Sequence, residues 1–130
     1  MRIATICMSA VFLAGCATID RVPGDMCAPD GRDAVPVEAV QVMNTNWMLL
    51  SFLPIASGDV RRPNECTCRW FRNTVGLPGQ MKMLEDEMRL AGATRAVNVA
   101  TAYSTERVLF FLLLREKIRT SAVLVKDVFR

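Results

Sequence analysis

Hydrophobic residues occur in runs along the chain, separated by stretches rich in glycine, proline and charge. Residues 37–42 contain β-branched side chains in partial alternation, which predicts a strand. Residues 47–56 form a longer apolar run, too short to cross a bilayer, with Pro54 marking an edge or an end. In so small a domain this run is predicted to be buried on both faces. The alternative is an exposed patch that contacts a partner or a membrane.

One stretch has the period of a helix. Pro78 suits the first turn of a helix, and Gly92 suits the position just past its end. We therefore expect a helix over residues 78–91. Its predicted buried face consists of Met81, Leu84, Met88 and Ala91.

Two alternating or apolar segments after the helix, residues 96–103 and 108–114, predict two strands joined by a turn at residues 104–107. The charged residues 115–117 should break the second of these strands, and residues 118–125 should form the last one. The expected fold class is α+β, with a small, mostly antiparallel sheet of about four strands and one helix packed on a face.

The first sixteen residues have the layout of an export signal. Arg2 follows the initiator, residues 3–12 are apolar, and Leu13-Ala14-Gly15-Cys16 supplies small residues at a cleavage point. The apolar stretch stops near Asp20, so it is too short for a membrane-spanning helix. Residues 1–15 are therefore interpreted as a signal peptide and set apart from the fold.

Leu13-Ala14-Gly15-Cys16 resembles the lipobox of bacterial lipoproteins. The resemblance implies cleavage between Gly15 and Cys16, a diacylglyceryl group on the Cys16 thiol and a fatty acid such as palmitate on its amino group. Cys16 would thus tie the chain to the lipid bilayer. Ala17 resembles the outer-membrane sorting pattern, which implies an outer-membrane protein facing the periplasm. The alternative is an ordinary secretory signal with a chance cysteine.

The mature chain is expected to contain a lipidated N-terminus with a flexible arm over residues 16–35 and a single domain over residues 36–130. Glycine, proline and aspartate interrupt the arm, and no apolar period remains there.

The amino-acid composition argues against several classes of function. The chain has no histidine, so the commonest general base and metal ligand is absent. Its 16 basic and 13 acidic side chains are nearly balanced, which gives no reason to expect nucleic acid as a partner. Glu85, Asp86 and Glu87 are consecutive and therefore spread around the helix, as on a solvated face. We expect no catalytic residue, no cofactor and no metal.

A loop over residues 57–69 is polar, and arginines make it and the next few residues locally basic: Arg61, Arg62, Arg69 and Arg72. Such charge could contact anionic lipid head groups, although it more often only solvates a loop.

Three cysteines remain after Cys7 is removed with the signal and Cys16 takes lipid. In an oxidising compartment Cys27 is expected to pair with Cys66 or Cys68, and the third thiol would be buried or would join two chains. The alternative is thiol-based redox chemistry or metal binding at Cys66 and Cys68, which point to one side of an extended segment. Two thiolates without histidine make a poor structural zinc site.

Four pieces of the chain resemble the TRL-like family of small bacterial lipoproteins. They are residues 47–59 (WMLLSFLPIASGD), 90–93 (LAGA), 96–99 (AVNV) and 120–126 (TSAVLVK). The resemblance covers roughly residues 40–126 and implies no established activity, so it assigns no catalytic residue.

Together these observations predict a membrane-anchored envelope lipoprotein that is not an enzyme and acts as a structural or interaction module. An envelope protein partner is expected, and the oligomeric state is left open. One alternative is an envelope stress sensor that signals through a protein partner. The other is a redox or metal-binding protein that uses Cys66 and Cys68.

Overall fold

The computed structural model describes residues 16–24, 34–65, 67–109 and 112–127. These residues form an antiparallel sheet with one helix against a face, which confirms the α+β class. The described sheet has six strands, so the expected count of about four is too low. In chain order the elements are β1 (Ala17–Pro23), β2 (Ala34–Leu49), β3 (Leu53–Gly58), β4 (Cys68–Trp70), α1 (Leu77–Ala91), β5 (Arg95–Leu109) and β6 (Leu113–Asp127).

The 16-residue strand β2 is the centre of the sheet. The strand order is β4-β3-β2-β6-β5, and β1 also pairs with β2. On one side β6 accompanies β2 along its full length. On the other side two short strands share the edge, since Ala17 of β1 is opposite Asn44 and Ser57 of β3 is opposite Asn46.

The helix begins and ends close to the predicted residues. It starts at Leu77, with Pro78 in its first turn. Gly92 is left-handed at φ 65, and its N–H donates to the Arg89 carbonyl. The N–H of Ala93 donates to the Met88 carbonyl at 3.0 Å, so the carbonyls of Met88 and Arg89 in the last turn are satisfied.

The buried face of α1 differs from the predicted one. Met81 is 37% exposed, whereas Met83 is 1% and Leu84 is 4% exposed. Met83 packs with Ala17, Ile19 and Val42, and Leu84 packs with Val40, Ala122 and Leu124. The fully buried helix positions are Gln80, Met83, Leu84 and Glu87, while Met88 and Ala91 are half-buried.

The apolar run 47–56 is a hairpin rather than one strand buried on both faces. Its ends are buried, with Trp47 at 7% and Ala56 at 0% exposure, but Phe52 between them is 71% exposed. Leu50 and Ser51 both have positive φ, 53 and 66, as in the tight turns that match the twist of antiparallel strands.

The second apolar run also contains a hairpin turn. Residues 104–107, predicted as a turn, lie within β5, and residues 115–117 continue β6 instead of breaking it. The chain reverses between Leu109 and Leu113, which are opposite each other. Residues 104–107 are polar because they belong to an exposed part of a strand, not because they form a turn. The side chains of β5 from residue 98 to residue 109 are exposed.

Residues 17–23, predicted to belong to a flexible arm, form β1 and pair with β2 from Ala17 to Pro23. Burial explains the difference, because Ala17 and Ile19 alternate inward at 3% and 6% exposure. The rest of the predicted arm up to residue 33, apart from Gly24, and the predicted signal peptide lie outside the described residues.

We expect Leu84→Ala to lower the free energy of unfolding by about 2–5 kcal/mol, because it leaves a cavity between α1 and the sheet. Urea denaturation measures this loss. Leu90→Ala is the matched control, since Leu90 is 74% exposed and should change the free energy by less than about 0.5 kcal/mol. Equal losses in the two variants would contradict the observed helix face.

Candidate functional site

Cys16 lies immediately before β1, at the point where β1 and β3 meet along β2. It is half-buried, and its carbonyl accepts a hydrogen bond from the Thr45 N–H at 3.1 Å. Gly58 approaches it so closely that a Cβ there would lie 2.5 Å from the Cys16 carbonyl carbon and 2.3 Å from the Ala17 nitrogen. The backbone of the predicted lipid-attachment residue is therefore held in the sheet.

Asn64 fastens the outer side of β1. Its backbone N–H donates to the Ala17 carbonyl at 2.8 Å, and its side-chain oxygen accepts from the Ile19 N–H at 2.9 Å. The Asn64 amide nitrogen donates to the Ile19 carbonyl at 3.3 Å. Asn64 has φ 65, a conformation that asparagine tolerates better than most residues. The loop after β3 thus completes hydrogen bonds that β1 would otherwise make with water.

An ion pair joins β1 to the helix. Arg21 donates to both carboxylate oxygens of Glu87, at 2.6 and 3.0 Å, and Glu38 lies 3.9 Å away. The hydrogen bond to Glu87 and its charge raise the pKa of Arg21. Glu87 is only 3% exposed, so the expected solvated face at residues 85–87 is wrong for this residue. The only signal in the sequence was its helical spacing from Met83 and Leu84.

A shallow pocket of about 240 Å³ lies beside this ion pair, between β1, the loop after β3 and α1. Its lining residues are Ile19, Val60, Arg61, Pro63, Met83, Asp86, Glu87, Arg89 and Leu90. Glu87 is paired with Arg21, and Asp86 with Arg89 at 2.9 Å. The pocket therefore offers mainly a small apolar floor.

The two hairpin turns lie side by side at one end of the sheet. The Leu50 N–H donates to the Leu112 carbonyl at 2.9 Å, which joins the turn after β2 to the turn before β6. We call this region the apolar end and define it by five exposed side chains. They are Leu50 (42%), Phe52 (71%), Leu53 (43%), Leu109 (57%) and Leu112 (40%).

Two exposed aromatic residues, Trp70 at the end of β4 and Phe71 directly after it, lie on the neighbouring edge of the sheet. Trp70 is 55% and Phe71 is 72% exposed, and the Phe71 N–H donates to the Ile55 carbonyl at 3.0 Å. Phe71 therefore lies beside β3 on the side of β3 that leads to the apolar end.

Cys68 begins β4 opposite Gly58, where it is half-buried with a free thiol. Cys27 and Cys66 lie outside the described residues, so the disulfide and the thiol-based alternative stay predictions. Within residues 16–24, 34–65, 67–109 and 112–127 there is no group of three or more His, Cys, Asp or Glu residues that could hold a metal ion.

Asp59 organises the basic loop. It accepts hydrogen bonds from the Arg61 N–H at 3.0 Å and from the Arg69 side chain at 3.1 Å. Burial alone would raise the pKa of Asp59, but these hydrogen bonds and the arginine charges outweigh burial and lower it. Arg69 is thus engaged within the loop, whereas Arg61 and Arg72 have exposed side chains.

Polar side chains form a buried band across the middle of the sheet, facing the start of α1. Asn44, Asn46, Ser57, Gln80 and Thr120 are all fully buried. Ser57 donates to the Arg72 carbonyl at 2.8 Å, so its hydroxyl holds the loop after β4. Both amide atoms of Gln80 lack a hydrogen-bond partner among the described residues.

Beside this band, Glu116 accepts from Asn46 at 3.1 Å and from Asn73 at 3.4 Å. Burial and a hydrogen bond to Glu116 raise the pKa of Tyr103. The carboxylate is therefore occupied by neutral donors.

The described part of the chain contains no helix that is both long and apolar enough to cross a membrane. No protein-family model matches the chain, and no curated protein or solved structure matches it either.

We expect Gly58→Ala to displace Cys16 and Ala17 from β2, because the added methyl would meet their backbone atoms. Overpacking of this kind should cost about 1–3 kcal/mol of the free energy of unfolding. Hydrogen exchange of the Thr45 N–H, which donates to Cys16, should speed up. Gly76→Ala is the control, since its nearest atom would be the Pro78 Cδ at 3.7 Å. Unchanged exchange at Thr45 in Gly58→Ala would contradict this packing.

We expect Asp59→Asn to reduce the free energy of unfolding by about 1–3 kcal/mol near neutral pH. The folded pKa of Asp59 is lowered from 3.8, so its contribution is full above that value and is lost as pH falls through the folded pKa. Denaturation of the parent protein and of Asp59→Asn, repeated from neutral to acidic pH, should show that the difference in their free energies of unfolding shrinks below about pH 4.

Glu65→Gln serves as the comparison, because the Glu65 side chain is 59% exposed and its partner Arg62 is 3.7 Å away. An exposed pair contributes little, so this variant should stay close to the parent protein throughout. If the free energy of unfolding of Asp59→Asn differed from that of the parent protein by the same amount at every pH, the stabilising role of the Asp59 charge would be refuted.

Proposed function

We propose that the chain is the precursor of a bacterial lipoprotein, cleaved before Cys16 and held to the cell envelope by acyl chains on that cysteine. The observation that carries the proposal is the N-terminal layout, in which Leu13-Ala14-Gly15-Cys16 directly follows an apolar segment and a single positive charge. The same proposal places the protein at the outer membrane, facing the periplasm, because Ala17 follows the lipid-attachment cysteine. It also includes kinship with the TRL-like lipoproteins.

The position of β1 supports this cleavage point. The first strand begins at Ala17, and Cys16 contributes its carbonyl to the sheet. Cleavage before Cys16 would leave every described strand and the helix intact.

We further propose that the mature domain is a non-enzymatic structural or interaction module. Its buried carboxylate Glu87 is paired with Arg21, and its buried hydroxyl at Ser57 holds a loop. The feature of the domain best suited to binding is the exposed surface of the apolar end. Exposed apolar patches of this kind mark contacts with proteins or membranes.

Intact mass measurement of the protein from its native membrane tests the anchor. We expect a chain that starts at Cys16 and carries added diacylglyceryl and amide-linked fatty acid mass. Cys16→Ala should lose this mass and should no longer be processed at this site. Three acyl chains should hold the parent protein in the membrane through high-salt washes, since the attachment is hydrophobic.

Cys68→Ala is the matched control, because it removes another thiol and should leave the acyl mass and the membrane fraction unchanged. A mature parent chain of unmodified mass in the soluble fraction would refute the proposal. The protein would then be a secreted domain.

A further inference from the structure

We propose that the apolar end is a second membrane contact, which inserts into the lipid surface that holds the acyl chains of Cys16. This inference rests on the proposed acylation of Cys16. Its occupant is the boundary between head groups and acyl chains of a bilayer.

The composition of the two hairpins is the first support. Residues 48–56 (MLLSFLPIA) and 108–114 (VLFFLLL) contain no charged side chain. The described turns expose leucine and phenylalanine side chains to solvent, with Phe52 at 71% and Leu109 at 57% exposure. Because the Leu50 N–H donates to the Leu112 carbonyl, the two turns form one surface and could enter a membrane together.

A positive charge that borders the apolar end is the second support. Arg107 lies opposite Leu114 in the hairpin of β5 and β6, two residues before Leu109. Its side chain is exposed and forms no salt bridge with another described residue. An uncharged tip bordered by arginine suits a bilayer with anionic lipids, where the tip enters the apolar layer and arginine meets phosphate.

The placement of Cys16 is the third support and decides between a membrane and a protein as the occupant. Cys16 is bonded to Thr45 in the sheet, and Leu49 lies four residues further along β2, about 13 Å away at the rise of an extended strand. No spacer separates Cys16 from β1. Acyl chains on Cys16 therefore keep the sheet against the bilayer, and an apolar end so close to the attachment point lies within reach of the same surface.

Tryptophan fluorescence in lipid vesicles tests insertion. The acylated mature chain would carry Trp70→Phe, so that the buried Trp47 is the only native tryptophan. A new tryptophan is then placed by Phe52→Trp at the apolar end. The vesicles contain phosphatidylcholine and phosphatidylglycerol, with or without bromine on the acyl chains. We expect brominated lipid to quench most of the added fluorescence and the emission to shift to the blue.

Leu90→Trp in the same background is the matched control, because Leu90 is 74% exposed but lies on the last turn of α1. Its emission should be the same with both kinds of lipid. Equal responses at residues 52 and 90, or none at residue 52, would overturn the insertion.

Intact mass of the same samples separates this inference from the proposed function. Acyl mass without quenching at residue 52 would refute the second contact and leave the anchor standing. A chain without acyl mass would refute the anchor, and quenching at residue 52 would then still support insertion by the hairpins. A photocrosslinker at residue 52 that joins a protein in the native membrane, together with no quenching, would assign the surface to a protein partner and overturn the inference.

Discussion

The hydrogen-bonding edge of β2 is the constraint on which the other elements depend. One edge is filled by β6 over its whole length, and the other is divided between β1 and β3. Because two strands share one edge, their ends must meet, and they do so where Gly58 lies against Cys16. This contact holds Cys16, the first residue of the proposed mature chain, in place. The length of β2 then sets the distance between Cys16 and the hairpin turns.

The helix is held to this sheet by unequal forces along its length. Met83 and Leu84 supply close apolar packing near its middle. One turn later Glu87 adds an ion pair with Arg21, which couples α1 directly to β1. At its beginning, Gln80 and the polar band replace apolar packing, and the Gln80 amide, which has no hydrogen-bond partner among the described residues, opposes folding. The apolar packing of α1 against the sheet therefore lies from Met83 onward.

The sequence predicts those features that depend on local chemistry. Proline and glycine mark the ends of α1, and alternation reveals strands. The turn at Leu50 and Ser51 escapes prediction because neither residue type favours positive φ, so only the pairing of β2 with β3 enforces it. Helical spacing from Met83 and Leu84 is all that distinguishes Glu87 from its acidic neighbours in the sequence, and its burial becomes evident only when β1 places Arg21 beside it. The motif predicts Cys16 as a lipid-attachment residue, but the hydrogen bond of Cys16 to the sheet depends on contacts distant in sequence.

The outer edge of β5 affects how neighbouring copies of the chain could pair on a membrane. Among the described residues β5 pairs with β6 alone, so its other backbone groups can accept a further strand. Proteins anchored as proposed would share one orientation in two dimensions, and their local concentration would far exceed that in solution. A bulge at Asn98, with φ 54, interrupts the regular spacing of this edge. One left-handed asparagine thus opposes the growth of sheets from chain to chain across a membrane surface.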